Sequence, residues 1–481
     1  MTANLGNVPL RFLHCMFPSR GQYKMSRLIC YTGRWKCCVK SVSNHSTPSA
    51  MSTHTQQVPL DYSRFLNPLS SRRSPSKIRE ITKLYAVAPP GTVFFAGGFP
   101  NPRTFPFAET KITLKDGTTF TLSGKSLESA LQYQPTQGYP PLVKQLREMT
   151  LKTHNPPNWE NYEILVTTGS QDGLSKAFDM SLEEGEPVIV QHPIYTGALA
   201  AIKPLCPQFI CIPEDENGMR PDKLKESLEA CFKNKSVNDE RGVPKLMYIT
   251  PTGGNPTGTV LPLERKKEIY QLACKYNLLI LEDDPYYHLH FMNENPISFL
   301  SMDTEGRVLR FDSFSKILSS GIRLGFVTGP KQLVKMIELH MQVGCLHTAS
   351  LSQVIASNLF ELWDSGKLNK HIESVQTFYK SKRDMMIRAA EKYLTGLAEW
   401  NVPKAGMFLW VKVKGVQDVY DMVSIRAVQK NVLVVPGHAF LADPSQPCPY
   451  IRLSYTMPSE EEINKGMANL AELIKEEQSH H

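Results

Sequence analysis

The chain has 481 residues, and its basic residues exceed its acidic residues by a formal charge of +8. Seven basic residues and no acidic residue lie in the first 60 positions, so the rest of the chain is nearly neutral. A nucleic-acid-binding body is disfavoured, because that function requires surplus Lys and Arg on the folded surface. No run of about 18 apolar residues is present, so no membrane-spanning helix is predicted.

The N-terminal segment, residues 1–58, is rich in Arg, Ser and Thr and contains no acid. This composition is typical of a mitochondrial transit peptide, so we expect import into the mitochondrial matrix. The alternative is a disordered extension, with translation sometimes starting at Met51 and giving a cytosolic form. The six cysteines beyond this segment form no C-x-x-C pair, and the histidines show no metal-ligand spacing. Neither a metal site nor a disulfide framework is therefore predicted.

Short apolar runs bounded by turn residues predict buried strands at 163–169, 187–193, 208–213, 245–251, 278–284, 308–314 and 324–330. Helical stretches such as 263–277 lie between them, and Asp222 is predicted to be the N-cap of the helix that follows it. This alternation predicts an α/β fold with a mostly parallel sheet flanked by helices. Ligands bind such sheets at the carboxyl ends of the strands.

The pattern changes after about residue 365, where a long helical run precedes three apolar runs and a C-terminal helix. This texture predicts a smaller α+β domain. The residues that follow the N-terminal segment are rich in Pro, Ser and Arg and resemble an arm rather than a core. We expect four parts: the N-terminal segment at 1–58, an arm with the start of the small domain at 59–104, a large domain at 105–364, and a small C-terminal domain at 365–477.

Lys316 lies just beyond a predicted buried strand, next to Ser313 and Ser315 and seven residues before Arg323. Burying an ammonium group is costly unless the group has a use. Hydroxyl groups and a guanidinium together form a phosphate cradle. A lysine beside such a cradle suits a Schiff base with pyridoxal phosphate, which needs an amine of depressed pKa.

Asp283 ends another predicted strand, in the sequence LLILEDDPYY. A carboxylate at that position can pair with a protonated pyridine nitrogen and so hold the ring as an electron sink. Tyr286 and Asn255, each in a loop beyond a strand, can donate to the phenolic oxygen of the same ring. Asp-Asp-Pro is also an ordinary turn signal, so the segment alone does not decide between the two interpretations.

Two further segments complete the pattern. Ser170 and Gln171 follow a strand and open a helix, and backbone N–H groups at a helix N-terminus bind anions. Tyr195, in HPIYTG, can stack on a flat ring, although a single aromatic residue is more often a packing residue. These residues all fall at strand ends or in the loops beyond them, so together they predict one pyridoxal 5'-phosphate site.

The series GSQ, Y, NPTG, DDPYY, SFSK and R resembles the class I aminotransferases of the fold type I pyridoxal phosphate enzymes. The resemblance extends from about Leu60 to about Glu477, through stretches such as FAGGFPNP and AGMFLWVKVKG. It implies the fold type I architecture and a homodimer with shared active sites. It is greatest to members that act on kynurenine and 2-aminoadipate, which implies transfer of their amino group to 2-oxoglutarate, giving kynurenate or 2-oxoadipate and glutamate.

The resemblance also implies a role for individual residues, with Lys316 as the catalytic residue that carries the cofactor and moves the proton. The implied cofactor-binding residues are Tyr133, which would reach the phosphate across a dimer interface, Ser170, Gln171, Tyr195, Asn255, Asp283, Tyr286, Ser313, Ser315, Lys316 and Arg323. The implied substrate-binding residues are Arg79, Gly98, Tyr133, Tyr195, Asn255 and Arg452, with Arg452 on the α-carboxylate.

Two alternatives remain beside a transaminase. A lyase or decarboxylase on the same fold would use the same core residues, but Arg452 disfavours a decarboxylase, because the α-carboxylate must then be free to leave. A non-catalytic regulator would carry an aminotransferase-like domain after a DNA-binding domain. The preceding 60 residues are too short for a winged helix, and the body is not basic.

Overall fold

Strands and helices alternate through most of this computed structural model, which describes residues 60–86, 88–237 and 242–479. The strands are β1 (Glu109–Thr113), β2 (Thr119–Ser123), β3 (Tyr162–Thr167), β4 (Pro187–His192), β5 (Gln208–Asp215), β6 (Gly218–Met219), β7 (Leu246–Ile249), β8 (Leu279–Asp283), β9 (Val308–Ser313), β10 (Gly325–Pro330), β11 (Ala398–Trp400), β12 (Phe408–Val413), β13 (Val435–Pro436) and β14 (Tyr450–Ser454). The α-helices are α1 (Pro68–Ser71), α2 (Lys77–Ala86), α3 (Gly124–Leu131), α4 (Pro140–His154), α5 (Ser170–Ser181), α6 (Thr196–Ile202), α7 (Pro221–Cys231), α8 (Leu263–Lys275), α9 (Lys331–Gly344), α10 (Ser350–Leu362), α11 (Ser365–Leu394), α12 (Ala427–Gln429) and α13 (Glu460–Ser479). The predicted transit segment 1–58, with Met51, lies outside the described residues.

Eight strands form one mixed sheet in the order β3-β10-β9-β8-β7-β4-β5-β6. The neighbours from β9 to β5 pair in parallel, which confirms the predicted α/β class. Parallel pairing is the wrong prediction for 324–330, because β10 runs antiparallel to both β3 and β9. The segment between β9 and β10 holds only turns and one short 3-10 helix. A parallel pair needs a crossover of a dozen or more residues, so the chain reverses direction instead.

Apolar side chains point alternately to the two faces of this sheet and pack against helices on both. One face buries residues such as Val190 and Leu281 against α5, α6 and α9. The opposite face buries Ile189 and Ile280 against α7 and α8. Helix α8 confirms the helix predicted at 263–277. Because helices cover both faces, the open edge at the strand ends is where a ligand can enter.

The N-cap prediction for Asp222 is wrong. Helix α7 begins at Pro221, so Arg220 takes the cap position and Asp222 lies inside the first turn. The carboxylate of Asp222 accepts a hydrogen bond from Nε of Arg220 at 3.1 Å. Proline has the backbone φ of a helix and no N–H to satisfy, so it commonly occupies the first helical position.

A second, antiparallel sheet has the order β11-β12-β14-β13, and α11 and α13 pack on it through a separate apolar core. This arrangement confirms the predicted small α+β portion. The apolar run at 431–437 forms only the short strand β13. Strand β14 lies between β12 and β13, and its central residue Arg452 pairs with Trp410 of β12.

The chain before β1 is largely exposed, in agreement with an arm. Phe95 is 94% exposed and Val93 is 69% exposed. Within the described ranges, no helix is both long and apolar enough to cross a bilayer. The same ranges contain no group of three His, Cys, Asp or Glu side chains arranged to hold a metal, and their cysteines are free thiols.

Candidate active site

A cavity of about 240 Å³ lies at the carboxyl edge of the large sheet. The loops that follow β3, β4, β7, β8 and β9 form its wall, because the carboxyl ends of parallel strands meet at one edge. The cavity brings together ten of the predicted site residues, namely Ser170, Gln171, Tyr195, Asn255, Asp283, Tyr286, Ser313, Ser315, Lys316 and Arg323.

Asp283 is the last residue of β8 and is 3% exposed. Its Oδ2 accepts a hydrogen bond from the hydroxyl of Tyr248 at 2.8 Å. Its Oδ1 is buried and has no hydrogen-bond partner among the described residues. Burial raises the pKa of Asp283 to about 7, although the bond from Tyr248 acts in the opposite direction. A buried oxygen without a donor is costly, so this carboxylate suits a cationic N–H group in the cavity.

A buried cluster of charges lies on the strands around Asp283. Arg310 of β9 pairs with Glu282 at 3.2 Å, Asp284 at 3.0 Å and Asp312 at 2.9 Å. Three carboxylates therefore share one guanidinium in a region closed to water. Asp284 and Asp312 raise the pKa of Asp283, whereas Arg310 lowers it.

Lys316 lies in the turn after β9 and is half-buried. Its Nζ is 6.0 Å from the centre of the Tyr286 ring across the cavity. Burial lowers the pKa of the Lys316 amine, and the positive charge of Arg323 lowers it further. A lowered pKa increases the fraction of neutral amine, which is the nucleophilic form.

One end of the cavity is built for an anion. The guanidinium of Arg323 donates to Oγ of Ser315 at 3.4 Å and to the carbonyl of Thr168 at 3.2 Å. Ser170 begins α5, so the free backbone N–H groups of that helix end and the Arg323 charge lie together. Gly169 has a φ of +78°, and a Cβ at this position would overlap the Arg323 guanidinium. Only glycine allows this close approach.

Arg452 reaches the cavity from the small sheet. Its Nη1 donates to Oδ1 of Asn255 at 2.9 Å, which leaves the amide N–H groups of Asn255 to face the cavity. The Arg452 guanidinium lies 4.2 Å from the centre of the Phe408 ring and 5.2 Å from that of Phe440. Its Nε is buried without a hydrogen-bond partner in the described part of the chain. An oriented guanidinium with unused donors suits a carboxylate ligand.

The two tyrosines in the wall remain hydroxyl donors, because burial raises the pKa of both Tyr195 and Tyr286. Tyr195 is the residue before α6 and therefore has a fixed backbone. Tyr286 packs edge-on against Phe408 at 6.3 Å.

Three predicted substrate or cofactor residues do not line this cavity. Arg79 donates to the carbonyl of Gln134 at 3.1 Å, and Tyr133 is 48% exposed between the rings of Phe99 and His347. Gly98 is exposed, and a Cβ added to it would meet open space. We call Arg79, Gly98, Phe99 and Tyr133 the arm group. It forms a separate patch of the chain.

Sequence reasoning missed four residues of the site. Thr250, Pro285 and Phe408 line the cavity, and Tyr248 binds Asp283 from below. Thr250 and Pro285 each adjoin a predicted strand end, so the topology alone indicated them. Tyr248 is hidden in an apolar strand and gave no polar signal.

Comparison with known proteins follows from this geometry. The family pattern described as aminotransferase class I and II matches residues 105–470. The chain belongs to that aminotransferase family. It is 43% identical over 423 residues to the mitochondrial kynurenine/alpha-aminoadipate aminotransferase of Bos taurus, covering 87% of this chain and 100% of the relative.

Solved aminotransferases share the fold. The aminotransferase Aro8 from Candida albicans superimposes with a TM-score of 0.77 at 26% identity, covering 88% of this chain and 100% of that one. The kynurenine aminotransferase of Pyrococcus horikoshii, solved in complex with PMP, gives a TM-score of 0.68 at 33% identity, covering 87% and 98%. This chain is therefore an aminotransferase of fold type I, and its cofactor is pyridoxal 5'-phosphate.

Proposed function

We propose that this aminotransferase moves the amino group of kynurenine, 2-aminoadipate and other amino acids to 2-oxoglutarate. The products are glutamate and either kynurenate or 2-oxoadipate, and the setting is tryptophan and lysine catabolism. The observation that carries this proposal is the single cavity that joins the Lys316 amine, the unpartnered oxygen of Asp283 and the Arg323 anion cradle. The name of the Bos taurus relative supports the choice of amino donors.

The donors and acceptors of the cavity fit pyridoxal phosphate. Oδ1 of Asp283 lacks a partner, and a protonated ring nitrogen supplies the missing donor. Asn255 and Tyr286 offer N–H and O–H groups for the phenolic oxygen, and Tyr195 offers a ring face. When bound, pyridoxal phosphate supplies an aldehyde that takes the amino group and a ring that withdraws electrons from Cα.

The phosphate belongs at the other end of the cavity. Its binding residues in this proposal are Ser170, Gln171, Ser313, Ser315 and Arg323, which line one wall beside the start of α5. A helix N-terminus and a guanidinium both favour a dianion. Gly169 supports the arrangement because it lets Arg323 lie against the helix end.

Lys316 does the proton work of the reaction. Its lowered pKa leaves the Nζ amine free of a proton, so the amine can take the proton from the substrate Cα. Arg452 holds the α-carboxylate with its paired N–H groups and fixes the Cα–H bond toward Lys316. Because the carboxylate stays bound, decarboxylation is disfavoured.

The arm group completes the site in a homodimer, in this proposal. Tyr133 would reach the phosphate across the interface, while Arg79 and Gly98 would approach the substrate side chain. The exposed apolar side chains of the arm, such as Phe95 and Val93, support an interface in this part of the chain. The segment 1–58 would direct the protein to the mitochondrial matrix, as the name of the relative indicates for that protein. The domain boundaries after 104 and 364 stay predictions, supported by the separate apolar core of the small sheet.

A direct assay tests the proposed function. The full chain, loaded with pyridoxal phosphate, is mixed with 2-oxoglutarate and either kynurenine or 2-aminoadipate, and glutamate is measured. We expect glutamate in amounts equal to the amino donor consumed, and none with Lys316→Ala. Carbon dioxide without glutamate would show a decarboxylase, and a lack of turnover with both donors would contradict the proposed substrates.

A further inference from the structure

Tyr248 is a buried tyrosine of the central strand β7, with 1% of its surface exposed. Its ring packs in the apolar core and lies 5.7 Å from that of Phe178. Its hydroxyl nevertheless reaches the polar edge of the sheet, where it donates to Oδ2 of Asp283 at 2.8 Å.

The register of the sheet explains this contact. Tyr248 lies opposite Leu281 in the parallel pair of β7 and β8. Alternate residues of a strand share a face, so Asp283 is on the same face as Leu281, about 6.6 Å further along. A phenol ring directed along the strands spans that distance. The fold thus fixes both the donor and the acceptor through main-chain pairing.

We propose that Tyr248 is a positioning residue for the cofactor: it holds Oδ2 of Asp283, so that Oδ1 faces the cavity and accepts the N–H of the cofactor ring nitrogen. The two oxygens are unequal in the structure, since Oδ2 has a donor and Oδ1 has none among the described residues. The inference rests on the proposed function, because it takes pyridoxal phosphate as the occupant.

Several other charged or titratable groups act on Asp283. Asp284 adjoins it, Arg310 and Asp312 come from β9, and Tyr195 and Tyr286 come from neighbouring loops. Tyr248 differs from all of these, because it donates a hydrogen bond directly to the carboxylate and so lowers the pKa of Asp283.

This difference makes the role measurable. The ionised carboxylate binds a protonated ring, so cofactor affinity falls as the pH drops through the pKa of Asp283. Loss of the Tyr248 hydroxyl raises that pKa, and the fall in affinity then occurs at higher pH. Loss of one hydrogen bond to a charged group also weakens binding about tenfold.

The experiment compares Tyr248→Phe with Tyr162→Phe in the full chain. Tyr162 is a matched control, because it is also 1% exposed and donates to a carboxylate, Asp303, at 2.6 Å, but does not line the cavity. The dissociation constant of pyridoxal phosphate is measured by fluorescence from about pH 6 to about pH 9. For Tyr248→Phe we expect about tenfold weaker binding and a midpoint about one pH unit higher, and for Tyr162→Phe no change.

A second measurement removes the effect of stability. In an Asp283→Asn background, Tyr248→Phe should leave the pH profile of binding unchanged, because no carboxylate remains to titrate. A Tyr248→Phe profile that matches wild type, or a shift that persists with Asp283→Asn, would overturn the positioning role. If instead the wild-type chain fails to bind pyridoxal phosphate, the proposed function itself fails, so the two failures are distinct.

Discussion

The wall of the cavity and the arm group differ in how the fold holds them. In the wall, each functional side chain follows a strand of one sheet and has a defined partner, as Asp283 has in Tyr248 and Arg452 has in Asn255. The arm group belongs to a segment that is largely exposed, where Gly98 has open space around it. The sheet therefore fixes the chemistry of the site, while the arm provides positions that can change substrate preference at little structural cost.

Arg452→Lys tests the wall with the largest expected effect. The substitution keeps the charge but loses the planar pair of donors, so kcat/KM for the amino donor should fall about 100-fold. Steady-state rates with 2-aminoadipate measure it. Arg388→Lys is the control, because Arg388 lies on the surface and pairs with Glu460 at 3.0 Å. Equal rates for Arg452→Lys and wild type would remove Arg452 from the substrate site.

Asp283→Asn tests the cost of a buried carboxylate. The pKa of Asp283 is raised from 3.8 to about 7 in the folded cavity, so the folded chain binds this proton more tightly than the unfolded chain. Stability is therefore lost as the pH rises from about 4 to about 7, and the apoprotein should gain about 2–4 kcal/mol from Asp283→Asn above that range.

Urea unfolding of the two apoproteins measures this gain. The difference should shrink toward zero near pH 4, where Asp283 is protonated in both the folded and the unfolded states. A variant that is less stable than wild type at pH 8 would contradict the assigned environment of Asp283.

Gly169→Ala tests the anion cradle with a smaller effect. The new Cβ would press on Arg323 and force a left-handed backbone, so pyridoxal phosphate should bind about tenfold more weakly, with a loss of stability of about 1–2 kcal/mol. Gly185→Ala is a matched control, since Gly185 has the same φ of +78° but open space at its Cβ. Backbone strain alone would lower both melting temperatures; weaker cofactor binding in both variants would contradict the cradle.

Phe99→Leu tests the arm group and should have the smallest effect. Phe99 contacts Tyr133 edge-on at 6.3 Å, so its replacement should change the ratio of kcat/KM for kynurenine and 2-aminoadipate by about threefold, within the range for small changes in an apolar pocket. Phe95→Leu is the control in the same segment. A large loss of activity with both donors would show that the arm group takes part in the chemistry.

The sequence predicted the strand ends well because alternating strands and helices imply one carboxyl edge, and ten candidate residues lie at that edge. It did not predict the reversal at β10, which depends on the absence of a crossover helix after Lys316. It also missed Tyr248, because an apolar strand gives no sign of which side chain reaches the edge. The position of the arm depends on packing between distant segments, such as Arg79 against Gln134, and carries no periodic signal.

The conversion of cofactor by amino donor alone tests the central claim most directly. The enzyme loaded with pyridoxal phosphate is mixed with excess 2-aminoadipate and no 2-oxo acid, and the bound cofactor and the products are identified by mass spectrometry. We predict one equivalent each of pyridoxamine phosphate and 2-oxoadipate per chain, and neither with Lys316→Ala. Unchanged pyridoxal phosphate with release of carbon dioxide, or conversion by Lys316→Ala at the wild-type rate, would contradict the account.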